Sequence, residues 1–277
     1  MSVPVIESID ELKEIARRVR IDIIKMIGAA GSGHPGGSLS EVELLTALYF
    51  NVLRHDPRDP QWPERDRFIL SKGHGCPALY AVYAESGYID RALLPTLRQL
   101  GSPLQGHPDK RMLPILEAST GSLGQGLSIG IGMALAAQLG KRGYHTFVMT
   151  GDGEIQEGQI WEAAMFAGFH KLDNLTLIVD YNKQQLDGWL KDILDPAPLT
   201  EKFRSFNWDV MEIDGHDLRQ CITALRTARD DRDQTPTAII AHTVKGKGVS
   251  FMENNVEWHG IAPKKEQVEA ALKELGA

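Results

Sequence analysis

An aspartate between two glycines, Gly151-Asp152-Gly153, and an asparagine 30 positions further on (152 to 182), Asn182, are a pair of residue types suited to a hard cation. One carboxylate and one amide oxygen are ligands that Mg²⁺ takes when phosphate oxygens and water complete its octahedron. The flanking glycines let backbone N–H groups approach a phosphate, and a helix starting just after them favours the same anion. Asp-Gly is also ordinary turn chemistry, so a bare Gly-Asp-Gly suits a turn as well as a cation site, and a metal site without any organic cofactor stays open. Histidines form a second set. Of nine, four follow a glycine, namely His34, His74, His107 and His216, and His259 precedes one. Imidazole takes up and releases protons near neutral pH. One Gly-His dipeptide signals only a loop histidine; several together point to a site. His216, in Asp214-Gly-His-Asp217, is read as structural, with Asp217 as the N-cap of the next helix. His55, His145, His170 and His242 are assigned to structure or surface. The glycines from Gly31 to Gly37 have neither GxGxxG spacing nor a Walker ending, so they are read as shaping the loop around His34.

These residues need elements to position them. From Ile9 to Ile27, apolar residues recur with a period of 3.6, predicting an amphipathic helix that ends at Gly28 and Gly31. Ser40 and Glu43 resemble a capping box opening a second helix to about Leu53. A strand at Arg67–Leu70 precedes Ser71-Lys72-Gly73-His74, and Gly121 to Gly126 open a small-residue helix through Leu139. A buried strand from His145 to Thr150 delivers Gly151-Asp152-Gly153, and a helix from Ile155 to Phe169 follows. A strand from Leu175 to Val179 leads to Asp180-Tyr181-Asn182. Strand, helix and strand are expected again at Trp208–Ile213, Leu218–Arg229 and Thr237–Ala241. Strands alternating with helices predict an α/β fold, a doubly wound and mostly parallel sheet with helices on both faces, its ligands beyond the carboxyl ends of the strands. Residues 184–206 read as a surface loop, Arg229 to Asp233 as a solvated helix end, and the helix from Lys264 to Leu275 as peripheral. Trp161 and Phe166 are read as interface residues in preference to core.

Composition limits the partners. At 277 residues, 42% hydrophobic and 24% charged, the chain is long enough for one large core. A formal charge of −7 gives no footprint for nucleic acid or an anionic membrane. Two cysteines make no disulfide framework, no secretory signal pattern opens the chain, and no apolar run approaches the ~20 residues of a membrane span. A cytoplasmic protein of one domain, 1–277, is the expectation.

Read together, Gly151-Asp-Gly-Glu-Ile-Gln-Glu-Gly158, Asp180-Tyr-Asn182 and Leu186-Asp-Gly188 resemble the thiamine-diphosphate motif in its transketolase form. Ser32-Gly-His-Pro-Gly36, Ser71-Lys-Gly-His74, Gly106-His-Pro108, Thr120-Gly-Ser-Leu-Gly-Gln-Gly126, Asp214-Gly-His-Asp217 and Trp258-His-Gly260 extend the resemblance over nearly the whole chain. It implies thiamine diphosphate and Mg²⁺, or another divalent ion such as Ca²⁺ or Mn²⁺, as cofactors. Asp152 and Asn182 would ligate the ion by their side chains and Gln184 by its carbonyl. Gly153 would donate its N–H to the diphosphate, while Gly121 and Leu123 would line the thiazolium pocket. His74 and His259 would reach the diphosphate or the reacting carbon, and His34 and His107 the sugar hydroxyls. Lys245 resembles a phosphate-side lysine, and Glu157 an acidic residue that joins a carboxylate network across a subunit interface.

The resemblance also implies a partner. Full-length transketolases continue into a pyrimidine-binding domain, whose glutamate activates the cofactor, and a third domain; the expectation is that a separate C-terminal subunit carries both, in an α₂β₂ assembly. The implied activity is transfer of a two-carbon ketol unit from a ketose to an aldose, usually as phosphates. Rival readings are a subunit of a 1-deoxyxylulose-phosphate synthase-like or 2-oxo acid dehydrogenase-like enzyme, or a non-catalytic cofactor-binding protein. The four histidines, apt for sugar hydroxyls, favour transketolase.

Overall fold

Period-two patterning sorts the strands between two cores. In the computed structural model, which describes residues 5–231 and 233–277, the strands are β1 (Arg67–Leu70), β2 (Thr146–Gly151), β3 (Leu175–Tyr181), β4 (Asp209–Asp214) and β5 (Thr237–His242). They form one wholly parallel sheet in the order β1-β2-β3-β5-β4. Phe68, Phe147, Met149, Ile178 and Ile239 point into one apolar cluster, whereas Ile69, Val148, Leu177, Val179 and Ile240 point into the other. Both faces are therefore covered, as expected of a parallel sheet.

The first face carries α1 (Ile9–Ala30), α2 (Pro35–Ser40), α3 (Val42–Ala47), α4 (Cys76–Glu85) and, nearer β4, α9 (Leu218–Asp230). The second carries α5 (Gln125–Leu139), α6 (Gly158–Phe169) and α8 (Leu199–Ser205). The one-turn α7 (Leu190–Ile193) lies before α8, and α10 (Lys265–Glu274) closes the chain. Ser8 caps the start of α1 by accepting from the Glu11 N–H, and Gly31, at φ 61°, ends it. Gly28 does not end the helix. It lies where α10 crosses, and a Cβ there would sit 2.6 Å from Val268 Cγ2, so α10 packs on α1 with Ala271 buried. The small residues of α5 have a similar cause: a Cβ on Gly130 would meet Val148 Cγ2 at 2.3 Å, so this helix lies close against β2.

Several expected boundaries move. The second helix begins at Pro35, an N1 residue with its φ already set for a helix. It breaks at Glu41 and ends in a π-helical turn, Leu48–Val52. Ser40 and Glu43 form no capping box: the Ser40 hydroxyl, 3.0 Å from the Gly37 carbonyl, donates to Asp180 at 2.5 Å, and Glu43 pairs with Arg20. α6 starts at Gly158, after a 3₁₀ turn at Glu154–Gln156, so no α-helix N-terminus faces Gly153 directly. Residues 184–206 are not one surface loop, since α7 and α8 lie within them and Gln184 is buried. Trp161 is half-buried and packs against Phe203 and Phe206, while Phe166 stays exposed. The charged run ends α9 as expected, with Arg232 outside the described residues. Among the described residues no helix is long and apolar enough to cross a membrane.

Candidate active site

Parallel register brings the two lead residues level. Gly151 of β2 pairs with Asp180 of β3, and Tyr181 with His242 of β5, so Asp152, Asn182 and Thr243 leave the sheet side by side at its carboxyl edge. Asp152 is only 1% exposed. Its Oδ1 accepts the Gly153 N–H at 2.8 Å, and its Oδ2 accepts the Lys183 N–H. Burial, followed by the nearby Asp180 carboxylate, pushes its carboxyl up to about 7. Asp152 forms no ion pair among the described residues. A buried carboxylate short of positive charge is a group that a bound cation would satisfy.

Around the same opening stand the four expected histidines. His34 lies 5.2 Å from His74, 6.2 Å from His107 and 5.6 Å from His259 between ring centroids, and His74 lies 5.3 Å from His259. They come from four separate segments: the start of α2, the turn after β1, the loop before Gly121, and the 3₁₀ turn Val256–His259. All four are held neutral near pH 7. Burial lowers His34 to about 4, helped by Arg98, and lowers His259 to about 3, helped by Lys245. His74 falls well below its ordinary value through burial and then Lys72, and His107 is lowered by burial and then Arg98.

Neighbouring donors set two tautomers. The Lys245 ammonium donates to His259 Nδ1 at 2.7 Å, leaving Nε2–H as the free donor. Arg98 Nη2 approaches His34 Nδ1 at 3.4 Å with the same consequence. Lys245 is 2% exposed, and burial lowers it to about 8. Its ammonium also reaches the carbonyls of Gln184 and Gln185, each at 3.4 Å. The Gln184 carbonyl thus accepts from Lys245, and the buried Gln184 side-chain amide has no partner of its own among the described residues.

These groups line a cavity of about 340 Å³, within the range for small-ligand pockets. The structure brings every expected site residue to it, including Gly121, Leu123, Gly153 and the exposed Glu157. At Gly121, with φ 148°, a Cβ would press on the His107 ring at 3.3 Å, so any larger residue would crowd that histidine. Among the described residues no group of three or more His, Cys, Asp or Glu is placed to hold a metal alone. A cation beside Asp152 and Asn182 would draw its remaining oxygens from a backbone carbonyl such as that of Gln184, from a ligand and from water, which suits a diphosphate.

Sequence patterns did not reveal the layer beneath. Lys72 is buried, with its ammonium 2.7 Å from Glu41, 2.5 Å from Asp180 and 2.9 Å from the Gly37 carbonyl. Glu154, also buried, accepts from the Ser71 hydroxyl at 2.5 Å and the Gly124 N–H at 2.9 Å through one oxygen. Its other oxygen accepts from the Gly151 N–H at 3.2 Å. That carboxylate ties the loop bearing Gly121 and Leu123 to the end of β2. His216 is structural as expected: it takes the Val244 N–H at 2.8 Å and contacts Glu43 at 2.9 Å, steadying the segment before Lys245. Asp217 caps α9.

Comparison with known proteins agrees with this geometry. Residues 11–277 match the family described as transketolase, thiamine diphosphate binding domain. The 6-deoxy-6-sulfo-D-fructose transketolase subunit SqwG of Clostridium sp. strain MSTE9 is 46% identical, the alignment covering 96% of each chain. An apulose-4-phosphate transketolase subunit of Actinobacillus succinogenes is 45% identical over 97% of each. The crystal structure of transketolase from Campylobacter jejuni superposes with a TM-score of 0.90 at 32% identity, covering 97% of this chain and 43% of that one.

Proposed function

The chain belongs to the transketolase family, and on that premise we propose that it is the N-terminal subunit of a heteromeric transketolase that transfers a two-carbon ketol unit from a ketose to an aldose. The observation that carries this reading is the facing of four neutral imidazoles and the Asp152–Asn182 pair across one cavity. Its similarity over almost the full length of relatives named as transketolase subunits supports a partner chain. That partner would be a C-terminal subunit with the pyrimidine-binding domain, in an α₂β₂ assembly in the cytoplasm. Two free, buried cysteines are in keeping with that compartment.

Thiamine diphosphate, when bound, supplies the carbon nucleophile. The chain's residues hold it and manage protons. Asp152 and Asn182 would bind Mg²⁺ or a like ion by side-chain oxygens, and Gln184 by its carbonyl. Lys245 would meet the diphosphate, as would the Gly153 N–H once a cation takes Asp152 Oδ1, its acceptor in the unliganded chain, and Gly121 and Leu123 would meet the ring. The Nε2–H of His259, a residue of the cavity lining, would serve as a donor. His34, His74 and His107, uncharged at neutral pH, can hydrogen-bond sugar hydroxyls and pass protons without placing a fixed charge beside the ion.

Ketol transfer from xylulose 5-phosphate to ribose 5-phosphate, with Mg²⁺ and thiamine diphosphate, tests the reading. Activity is expected only when the chain is co-expressed with its partner, and is expected to vanish in Asp152→Ala. Activity of the chain alone would remove the need for a partner. Release of CO₂ from a 2-oxo acid, without ketol transfer, would move the chain to the decarboxylating relatives.

A further inference from the structure

Asn182 can offer a cation either an oxygen or an NH₂ group, and only the oxygen is a ligand. Its neighbours decide which. Asp180 is fully buried in the end of β3 and is the hub of a small network. Lys72 Nζ donates to Oδ2 at 2.5 Å, Ser40 Oγ donates to Oδ2 at 2.5 Å, and Thr243 Oγ1 donates to Oδ1. A carboxylate so placed is an acceptor only, and the Asn182 Nδ2 lies 3.2 Å from its Oδ2. The amide must therefore turn its NH₂ toward Asp180. On the other side the Gln184 N–H points at Asn182 Oδ1 from 3.2 Å, which again requires oxygen there. That oxygen retains a second lone pair, and Asn182 lines the same cavity as Asp152.

We propose that Asp180, held as an anion by Lys72, Ser40 and Thr243, is the positioning residue that locks the Asn182 amide with its oxygen toward the cation site. The inference rests on the cofactor site described above and deepens it. Asp180 touches neither cofactor nor substrate. It acts through Asn182, and Lys72 acts through Asp180.

A double-mutant cycle separates this from simple support of the fold. Mg²⁺ is titrated calorimetrically into the assembled protein with saturating thiamine diphosphate, for wild type, Asp180→Asn, Asn182→Asp and the double variant. Asp180→Asn should weaken Mg²⁺ binding by roughly 10-fold or more, the usual scale for groups that orient metal ligands. In the Asn182→Asp background the same change should cost less than about 3-fold, because a carboxylate presents oxygen whichever way it turns. An equal loss in both backgrounds would mean that Asp180 serves only to pair Lys72, and no loss in either would remove its role; both overturn the proposal. Neutron density for the wild-type protein needs no variant to fold. It should show the Asn182 amide deuterons facing Asp180, and deuterons facing Asp152 would refute the lock. Wild-type protein without Mg²⁺-dependent binding would count against the function proposed above, while the neutron result would still decide the amide orientation.

Discussion

Two polar layers lie one above the other at the carboxyl edge of the sheet, and they are satisfied in opposite ways. In the lower layer the buried cations have counter-charges, Lys72 with Glu41 and Asp180, and Arg20 with Glu43, which also meets His216, and Glu154 is held by the Ser71 hydroxyl and two backbone N–H groups. In the upper layer, among the described residues, Asp152 has backbone donors but no ion pair, the Gln184 amide has no partner, and four imidazoles share the rim as neutral bases. Both layers are built on the same strands and loops, so scaffold does not account for the difference. On the cavity lining, the buried groups that find a counter-charge inside the fold belong to the framework, and Asp152 and Gln184, which lack a counter-charge or a side-chain partner, are placed to meet a ligand.

If this division is right, substitutions should separate cleanly into stability and binding effects. The largest stability loss is expected from Lys72→Met, which strands two buried carboxylates: about 3–5 kcal/mol in urea unfolding, and a loss under 1 kcal/mol would erase the distinction. Next comes acid. Against the cost of burial, Arg20 and then His216 hold the Glu43 carboxyl at about 2, below an ordinary value of 4.5. A lowered pKa contributes stability that is complete above 4.5 and is lost as pH falls from there toward 2. The contribution is roughly 3 kcal/mol, and Glu43→Gln should flatten the stability profile in that window. Asp152→Ala should behave oppositely. Because its carboxyl is raised to about 7, ionisation costs stability as pH rises through that value, so the unliganded variant should be no less stable than wild type at pH 8. It should lose the thermal stabilisation given by Mg²⁺ with thiamine diphosphate, a gain of about 2.7 kcal/mol at 100-fold excess over Kd. The smallest stability effect is expected at the rim: His107→Ala, at an exposed position, should change stability by about 0.5 kcal/mol or less. In the assembled enzyme the same change should lower kcat/KM roughly 10²-fold or more.

The same division governs how much of the molecule was readable beforehand. The upper layer was legible because its residues sit in loops, where Gly-Asp-Gly, Gly-His and Asp-Tyr-Asn stand out from the periodic elements around them. The parallel sheet followed from alternating strand and helix patterns, and both strand ends that present the site were placed to within two residues. The lower layer stayed hidden because its bonds join distant segments. Lys72 meets Asp180 across 108 positions and Ser40 meets Asp180 across 140, and no local pattern marks such a pairing. Ser40 and Glu43 even mimicked a capping box, since the residue types that cap helices also serve buried networks. Helix limits shifted for tertiary reasons too: Gly28 proved to be a crossing point for α10, and Glu154 turned inward and delayed the start of α6 to Gly158.

Calorimetric binding of thiamine diphosphate to the assembled protein, with Mg²⁺ and then with the ion chelated, tests the open upper layer most directly. Binding that requires the divalent ion and disappears in Asp152→Ala is the predicted result. Equal affinity with and without the ion, or an unchanged affinity in Asp152→Ala, would contradict the assignment of the Asp152–Asn182 pair.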